Sequence, residues 1–193
     1  MMKRLFDVIF SVTGLILTSP IFLVAVFLIK SPVFYGGERV GRGGKIFKMF
    51  KFRSMIINAD KIGGPSTSGD DLRLTKIGKF LRRYQLDELP QLINILKGEM
   101  SFVGPRPEVP FEVETYGEEI KRIILSIRPG LTDLATLKNI HEEEILRGAK
   151  DPHEAYRRLI KPQKLELARE YVKTRSFWLD IKIILKTLKS AIF

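Results

Sequence analysis

Two adjacent carboxylates, Asp87 and Glu88, stand in the stretch LRRYQLDELPQLINILKGEMSFVGPRP, residues 81–107. Arg82 and Arg83 lie about one helical turn upstream, and Arg106 is held between Pro105 and Pro107 downstream. Flanking prolines fix the backbone and reduce the entropy lost in holding a guanidinium, and a rigid arginine suits bidentate phosphate recognition. A carboxylate that attacks a diphosphate meets charge repulsion and needs metal or cationic help. Carboxylates and arginines around a helix terminus therefore point to Mg²⁺-assisted chemistry on a phosphorylated substrate at a membrane surface. A plainer reading competes with it: Asp87 caps the helix expected over DELPQLINILK, and Glu88 is a first-turn acid favoured by the helix dipole.

Composition narrows the partners. The chain has 193 residues and a formal net charge of +11, room for one compact domain with a membrane element. Excess positive charge beside an apolar N-terminus favours anionic partners: phospholipid headgroups, phosphate-bearing substrates or nucleic acid. There is no cysteine, which excludes disulfides and cysteine metal sites, and two histidines, His141 and His153, argue against a histidine-rich metal site. Any metal is then expected to be a hard, oxygen-seeking ion such as Mg²⁺. A basic binding module without chemistry rests on net charge alone. The sequence shows no aromatic-and-basic single-strand platform and no recognition-helix motif, so nucleic acid is not an expected partner.

The element that would bring this chemistry to a membrane is N-terminal. Val8 to Ile29 is an uncharged run of 22 residues, which as a helix reaches about 33 Å against a hydrocarbon core of about 30 Å. The run exceeds the apolar stretch of a signal peptide, and no small-residue cleavage site follows it. Lys3 and Arg4 precede it; Lys30, Arg39, Arg42, Lys45, Lys48, Lys51 and Arg53 follow it. Basic residues prefer the cytoplasmic side, so two basic flanks favour a helix–break–helix hairpin over residues 1–30 that turns back at Ser19-Pro20. A spanning helix with an ordinary proline kink stays open. Pro20 frees the carbonyl of Ile16, which the Ser19 or Thr18 hydroxyl could serve.

Residues 31–193 read as one further domain. FYGGERVGRGGKIFKMFKFR, 34–53, is a β-hairpin turning at Arg42-Gly43-Gly44-Lys45. Residues 58–72 form a polar, glycine-rich loop, expected to be mobile. Thr75 caps a helix through KIGKFLRRY, and a second helix, DELPQLINILK, has Pro90 in its first turn and ends at Gly98. Helices follow over 111–126, stopped by Arg128-Pro129-Gly130, and over about 152–172. In the C-terminal SFWLDIKIILKTLKSAIF, Phe177, Trp178, Ile181, Ile184, Leu185, Leu188 and Ile192 follow helical spacing, with Lys182, Lys186 and Lys189 on the other side. Such a basic amphipathic helix suits a membrane surface; packing on the domain's own core is the alternative. The fold class is α+β, mostly helical.

At these residues the chain resembles the bacterial sugar transferases known as small monotopic polyprenyl-phosphate phosphoglycosyl transferases. The resemblance rests on KRLFD at 3–7, Ser19-Pro20, ERVGRGGKIFKMFKFRSM at 38–55 and LTKIGKFLRRYQLDELPQLINILKGEMSFVGPRP at 74–107. RPGLT at 128–132 and SFWLDIKIILKTL at 176–188 complete it. It implies transfer of a sugar-1-phosphate from a UDP-sugar to undecaprenyl phosphate through a covalent aspartyl phosphosugar intermediate, with release of UMP. Asp87 is then the nucleophile and Glu88 its partner, as base or metal neighbour, with Mg²⁺ at the dyad. Arg82 and Arg106 hold phosphate, while Lys51, Arg53 and Arg128 are further candidate substrate contacts. The resemblance also implies a minimal form that begins at the family core, a re-entrant hairpin broken at Ser19-Pro20, and a place on the cytoplasmic face of the bacterial inner membrane. One departure bears on sugar choice: after RPGLT many relatives continue G-W-A-Q, whereas this chain reads Asp133-Leu134-Ala135-Thr136.

Overall fold

The computed structural model describes residues 2–64, 66–67, 71–135 and 145–192. Thr136, His141 and the side chain of Ile192, all named above, lie outside the described residues. The chain opens with helix α1, Met2–Leu28, which is long and apolar enough to cross a membrane. The expected break at Ser19-Pro20 is absent as a break, because residues on both sides belong to this one helix. Side-chain hydroxyls explain the continuity. Ser19 Oγ donates to the Ile16 carbonyl at 2.8 Å, the acceptor that Pro20 cannot serve, and Thr18 Oγ1 donates to the Gly14 carbonyl at 2.7 Å.

Both ends of α1 dock on the same domain. At its start, Lys3 Nζ donates to the Val103 carbonyl at 2.9 Å and pairs with Asp180 at 2.5 Å. Buried Asp7 accepts from the Ser101 hydroxyl and the Phe102 amide, each at 3.1 Å. At the other end, Ala25 and Ile29 join Phe52 and Leu81 in a buried cluster. Leu5, Ile9, Ile16, Leu17, Leu23 and Phe27 remain exposed along the helix.

The hairpin forms as its alternation requires. Strand β1 (Phe34–Val40) pairs antiparallel with β2 (Ile46–Phe52), from Phe34 opposite Phe52 to Val40 opposite Ile46, across the turn Arg42–Gly44. Phe47 and Met49 face inward onto Leu92, Ile95 and Met100. After the short α2 (Ala59–Ile62), helix α3 (Lys76–Arg83) starts where Thr75 Oγ1 accepts from the Gly78 amide at 2.9 Å. Thr75→Ala removes that acceptor and is expected to cost about 1 kcal/mol. Thermal melting should show a drop of roughly 2–4 °C at this chain length.

The next segment departs from the expected single helix. Gln85 adopts a left-handed conformation at φ 54°, Leu86–Glu88 form a separate 3-10 turn, and helix α4 (Gln91–Lys97) begins only after Pro90. Asp87 and Glu88 therefore do not cap α4, and the helix-dipole account of the pair fails. Gly98 ends α4 at φ 85°, as its freedom from a Cβ allows. Arg4 donates to the carbonyls of Ile95 and Leu96 at 2.6 and 2.8 Å, and Arg128 to that of Gly98 at 2.7 Å. Two arginines thus neutralise the negative end of α4.

Strands β3 (Ser101–Val103) and β4 (Gly130–Thr132) form a parallel pair that the sequence did not suggest. Here a Cβ on Gly130 would stand 2.1 Å from the Gly104 amide nitrogen, so only glycine fits this approach. The expected helix over 111–126 is two, α5 (Pro110–Glu114) and α6 (Glu118–Ile124), broken at Gly117. Among the described residues the chain continues with α7 (Pro152–Ala155), a π-helical turn at Tyr156–Ile160, α8 (Lys161–Thr174) and α9 (Phe177–Ile192). Helix α9 packs on the domain and leaves part of its apolar surface uncovered. Asp180 and Ile183 are buried against the domain, whereas Trp178, Leu185 and Leu188 are exposed by more than half.

Candidate active site

The 3-10 turn carries the dyad to the wall of a cavity of about 740 Å³. Lys51 from β2, Arg82 from α3, and Arg106 line the same cavity, so five of the residues expected from sequence converge there. Glu88 binds both cations: Lys51 Nζ donates to its Oε1 at 2.7 Å, and Arg106 grips it with both terminal nitrogens, Nη1 to Oε2 at 3.3 Å and Nη2 to Oε1. Lys51 also faces Asp87 Oδ2 at 3.9 Å. Arg82 Nε donates to Ser54 Oγ at 3.1 Å, which orients its guanidinium beside the dyad.

Charge is divided unevenly between the two acids. Asp87 has a side chain only 5% exposed. Burial pushes its carboxyl above the ordinary aspartate value of 3.8; Lys51 opposes the shift and neighbouring Glu88 adds to it. Burial works against the charge on Glu88 too, but Arg106 and Lys51 overcome it and hold its carboxyl below the ordinary range. Two adjacent acids pushed in opposite directions can take different roles. Glu88 is a fixed anion that organises cations, and Asp87 is a carboxylate with weaker compensation and higher basicity.

The backbone holds Arg106 as firmly as its side chain does. Its amide donates to Asp133 Oδ2 at 3.1 Å, the Gly104 amide donates to the Thr132 carbonyl at 3.1 Å, and the Gly130 amide to the Pro105 carbonyl at 2.9 Å. Parallel pairing of β3 and β4 thus fixes the proline-flanked arginine. Asp133 entered the sequence reading only as a departure from a pattern; here it is a structural partner of the loop.

Arg53 and Arg128 are not brought to the cavity wall. Arg53 donates to the Pro32 carbonyl at 2.8 Å, and Arg128 serves the end of α4. Neither role was readable from proximity to a motif.

A second polar wall was missed. Ser66, Glu108, Glu112, His153 and Tyr156 face the cavity from the side that includes α5, α7 and the loop before α3. Tyr156 donates its hydroxyl to Glu108 Oε1 at 2.5 Å. Buried Glu112 binds Arg157 at 2.5 Å and also Lys161. The acids Glu108 and Glu112, directly after Pro107, were the available signal.

The rest of the lining includes apolar side chains: Phe6 and Phe10 from α1, Leu92 from α4, Phe102 from β3, and Ile184 and Leu188 from α9. One chamber therefore joins a charged centre to a greasy arm.

A match to the family described as bacterial sugar transferase covers residues 1–193. The chain belongs to that family. The chain is 33% identical to undecaprenyl-phosphate galactose phosphotransferase of Salmonella typhimurium, over 97% of this chain and 40% of that protein. It is 41% identical to UDP-glucose:undecaprenyl-phosphate glucose-1-phosphate transferase of Klebsiella pneumoniae, over 96% of this chain and 39% of that one. Exopolysaccharide production protein ExoY of Sinorhizobium fredii is 36% identical, matched over 96% of this chain and 83% of its own length. The chain spans about two fifths of the length of these first two relatives.

Proposed function

We propose that this protein transfers a sugar-1-phosphate from a UDP-sugar to undecaprenyl phosphate, as the relatives' names describe for those proteins. The observation that carries the reading is one shared chamber: a buried carboxylate with Lys51, Arg82 and Arg106 lines the same cavity as apolar side chains of α1 and α9. A soluble diphosphate donor and a lipid phosphate can reach one carboxylate only in such a chamber.

In the first step Asp87 attacks the phosphorus that bears the sugar. An aspartyl–phosphorus bond forms, the bond to the bridging oxygen breaks, and UMP leaves with the electron pair. In the second, an oxygen of the lipid phosphate attacks the same phosphorus and the Asp87 carboxylate is returned. Lys51, Arg82 and Arg106 offset the phosphate charge that would otherwise repel Asp87. Glu88 keeps Lys51 and Arg106 in place.

Among the described residues no group of three or more His, Cys, Asp or Glu gathers as a metal cage. Magnesium commonly binds through only one or two carboxylates together with substrate phosphates, and a dyad with Asp87 less engaged by cations fits that mode. Asp87 and Glu88 would hold the ion, and when bound it would neutralise phosphate charge.

The contacts at both ends of α1 support a helix that enters the cytoplasmic leaflet of the bacterial inner membrane without crossing it. A crossing would separate those ends by about 30 Å of hydrocarbon. The chain has no native cysteine, so single cysteines at Met2 and Ser31 can be labelled by an impermeant reagent in intact cells. Protection of both is expected; labelling of only one from outside would sink the topology. The function itself is tested by incubating the protein with Mg²⁺, undecaprenyl phosphate and a panel of UDP-sugars. UMP release with at least one donor is expected, and none with any would reject the reading.

A further inference from the structure

The polar group Ser66, Glu108, His153 and Tyr156 in the cavity lining has no part in the chemistry above, and in-line substitution assigns it one. Attacking and leaving oxygens at a transferred phosphorus lie roughly opposite each other. UMP therefore leaves on the side away from Asp87, and the lipid phosphate later attacks from that same side. The phosphates of both exchanged groups share one place. The sugar occupies a different direction, and it alone stays through both steps. It therefore needs a room of its own within the chamber, away from the arm that receives the lipid tail.

We propose that Ser66, His153, Glu108 and Tyr156 form the subsite that reads the hydroxyls of the transferred sugar. This inference rests on the transfer reaction proposed above. The four residues line the same cavity as Asp87. They supply the chemistry that a polyhydroxylated ring requires, with hydroxyls, a carboxylate and an imidazole beside the flat face of a tyrosine.

They are also built rather than scattered. Ser66 Oγ and His153 Nδ1 are 3.0 Å apart, and His153 stacks parallel to Tyr156 at 6.4 Å between ring centres. On its other side, His153 Nε2 stands 3.0 Å from Glu112 Oε1, out of line for a hydrogen bond. The contact is one of proximity. Glu112 is itself fixed by Arg157 and Lys161. Arg73 holds the described backbone beside Ser66: it donates to the Ala59, Gly64 and Ser66 carbonyls at 3.1, 3.0 and 3.4 Å, and pairs with Asp71. A preorganised hydrogen-bonding wall discriminates against an epimer that leaves one of its groups unmatched.

The test uses Ser66→Ala and Tyr156→Phe in the full chain, with UMP release measured from UDP-glucose, UDP-galactose and their N-acetylated counterparts. Ser66 lies on a loop, so its variant keeps the test informative if loss of the Tyr156 hydroxyl disturbs folding. In at least one variant, the ratio of kcat/KM between two donors that differ only at C4 or C2 should change by about tenfold. Inhibition by UMP should be unchanged. An equal fall for every donor would overturn the proposal, as would a change confined to UMP inhibition, which would assign this wall to the nucleotide. A wild-type protein inactive on all donors would instead reject the underlying transfer reaction, a result separate from any effect of the variants.

Discussion

Replacing Asp87 with asparagine is expected to abolish UMP release and to raise the melting temperature in the same protein. Loss of a covalent nucleophile removes the step itself, so a fall of at least about 10⁴-fold is expected. The stabilisation follows from the raised pKa of Asp87. Its carboxyl ionises near 3.8 in the unfolded chain and at a higher pH in the fold, chiefly because burial penalises the charge. That difference favours the fold below pH 3.8 and is lost as pH rises through the folded value, so at neutral pH the ionised Asp87 costs stability. Asparagine carries no charge to bury. Each unit of upward shift corresponds to about 1.4 kcal/mol, and each 1 kcal/mol to roughly 2–4 °C at this chain length. Lys51 keeps Glu88 as a partner at 2.7 Å, so the substitution strands no cation. Calorimetry across pH 4–8 should find the gain largest above the folded pKa. A variant that melts lower than wild type at every pH would refute the strain, and full turnover would refute the nucleophile.

Arg106→Ala should also lower activity, by about 10²–10³-fold, but with the opposite effect on stability. Its guanidinium holds both oxygens of Glu88, and its charge lowers the pKa of both acids. Without it Glu88 keeps only Lys51, and the stability that its depressed pKa contributes above the ordinary value of 4.5 shrinks. The loss should fall below the roughly 3–5 kcal/mol of a fully broken buried pair, because one cation remains. Both carboxyls titrate at higher pH in the variant, so the acidic limb of the rate profile should move upward. Arg106→Lys returns the charge without the planar fork, and should recover the position of that limb better than it recovers kcat. An unmoved limb in Arg106→Ala would show that Arg106 does not set the ionisation of Asp87.

What the sequence disclosed depended on how locally each feature is determined. The hairpin, the Thr75 cap, the stop at Gly98 and the hydroxyl that serves the Ile16 carbonyl all rest on residues within a few positions of one another. The split before α4 was hidden because the left-handed residue is Gln85, a type that seldom announces such a conformation. At the site, Asp87, Glu88, Lys51, Arg82 and Arg106 were legible by their types and by resemblance. The second wall was not: Ser66 meets His153 across 87 positions, and Tyr156 meets Glu108 across 48. Arg53 and Arg128 show the converse. Their partners are backbone carbonyls, and no side-chain pattern marks a carbonyl as waiting for an arginine.

Helix α1 contributes Phe6, Phe10 and Gly14 to the chamber and Ala25 to the core, where Ile29 just past its end joins it. It is therefore no detachable leash. A truncated chain that starts at Ser31 would lose one wall of its reaction vessel together with part of its interior, so solubility gained by cutting would be gained from a different object. On the proposed function, whatever surrounds α1, lipid or detergent, would press on the compartment where the substrates meet, and acyl-chain length and lateral pressure would become working parameters of the reaction.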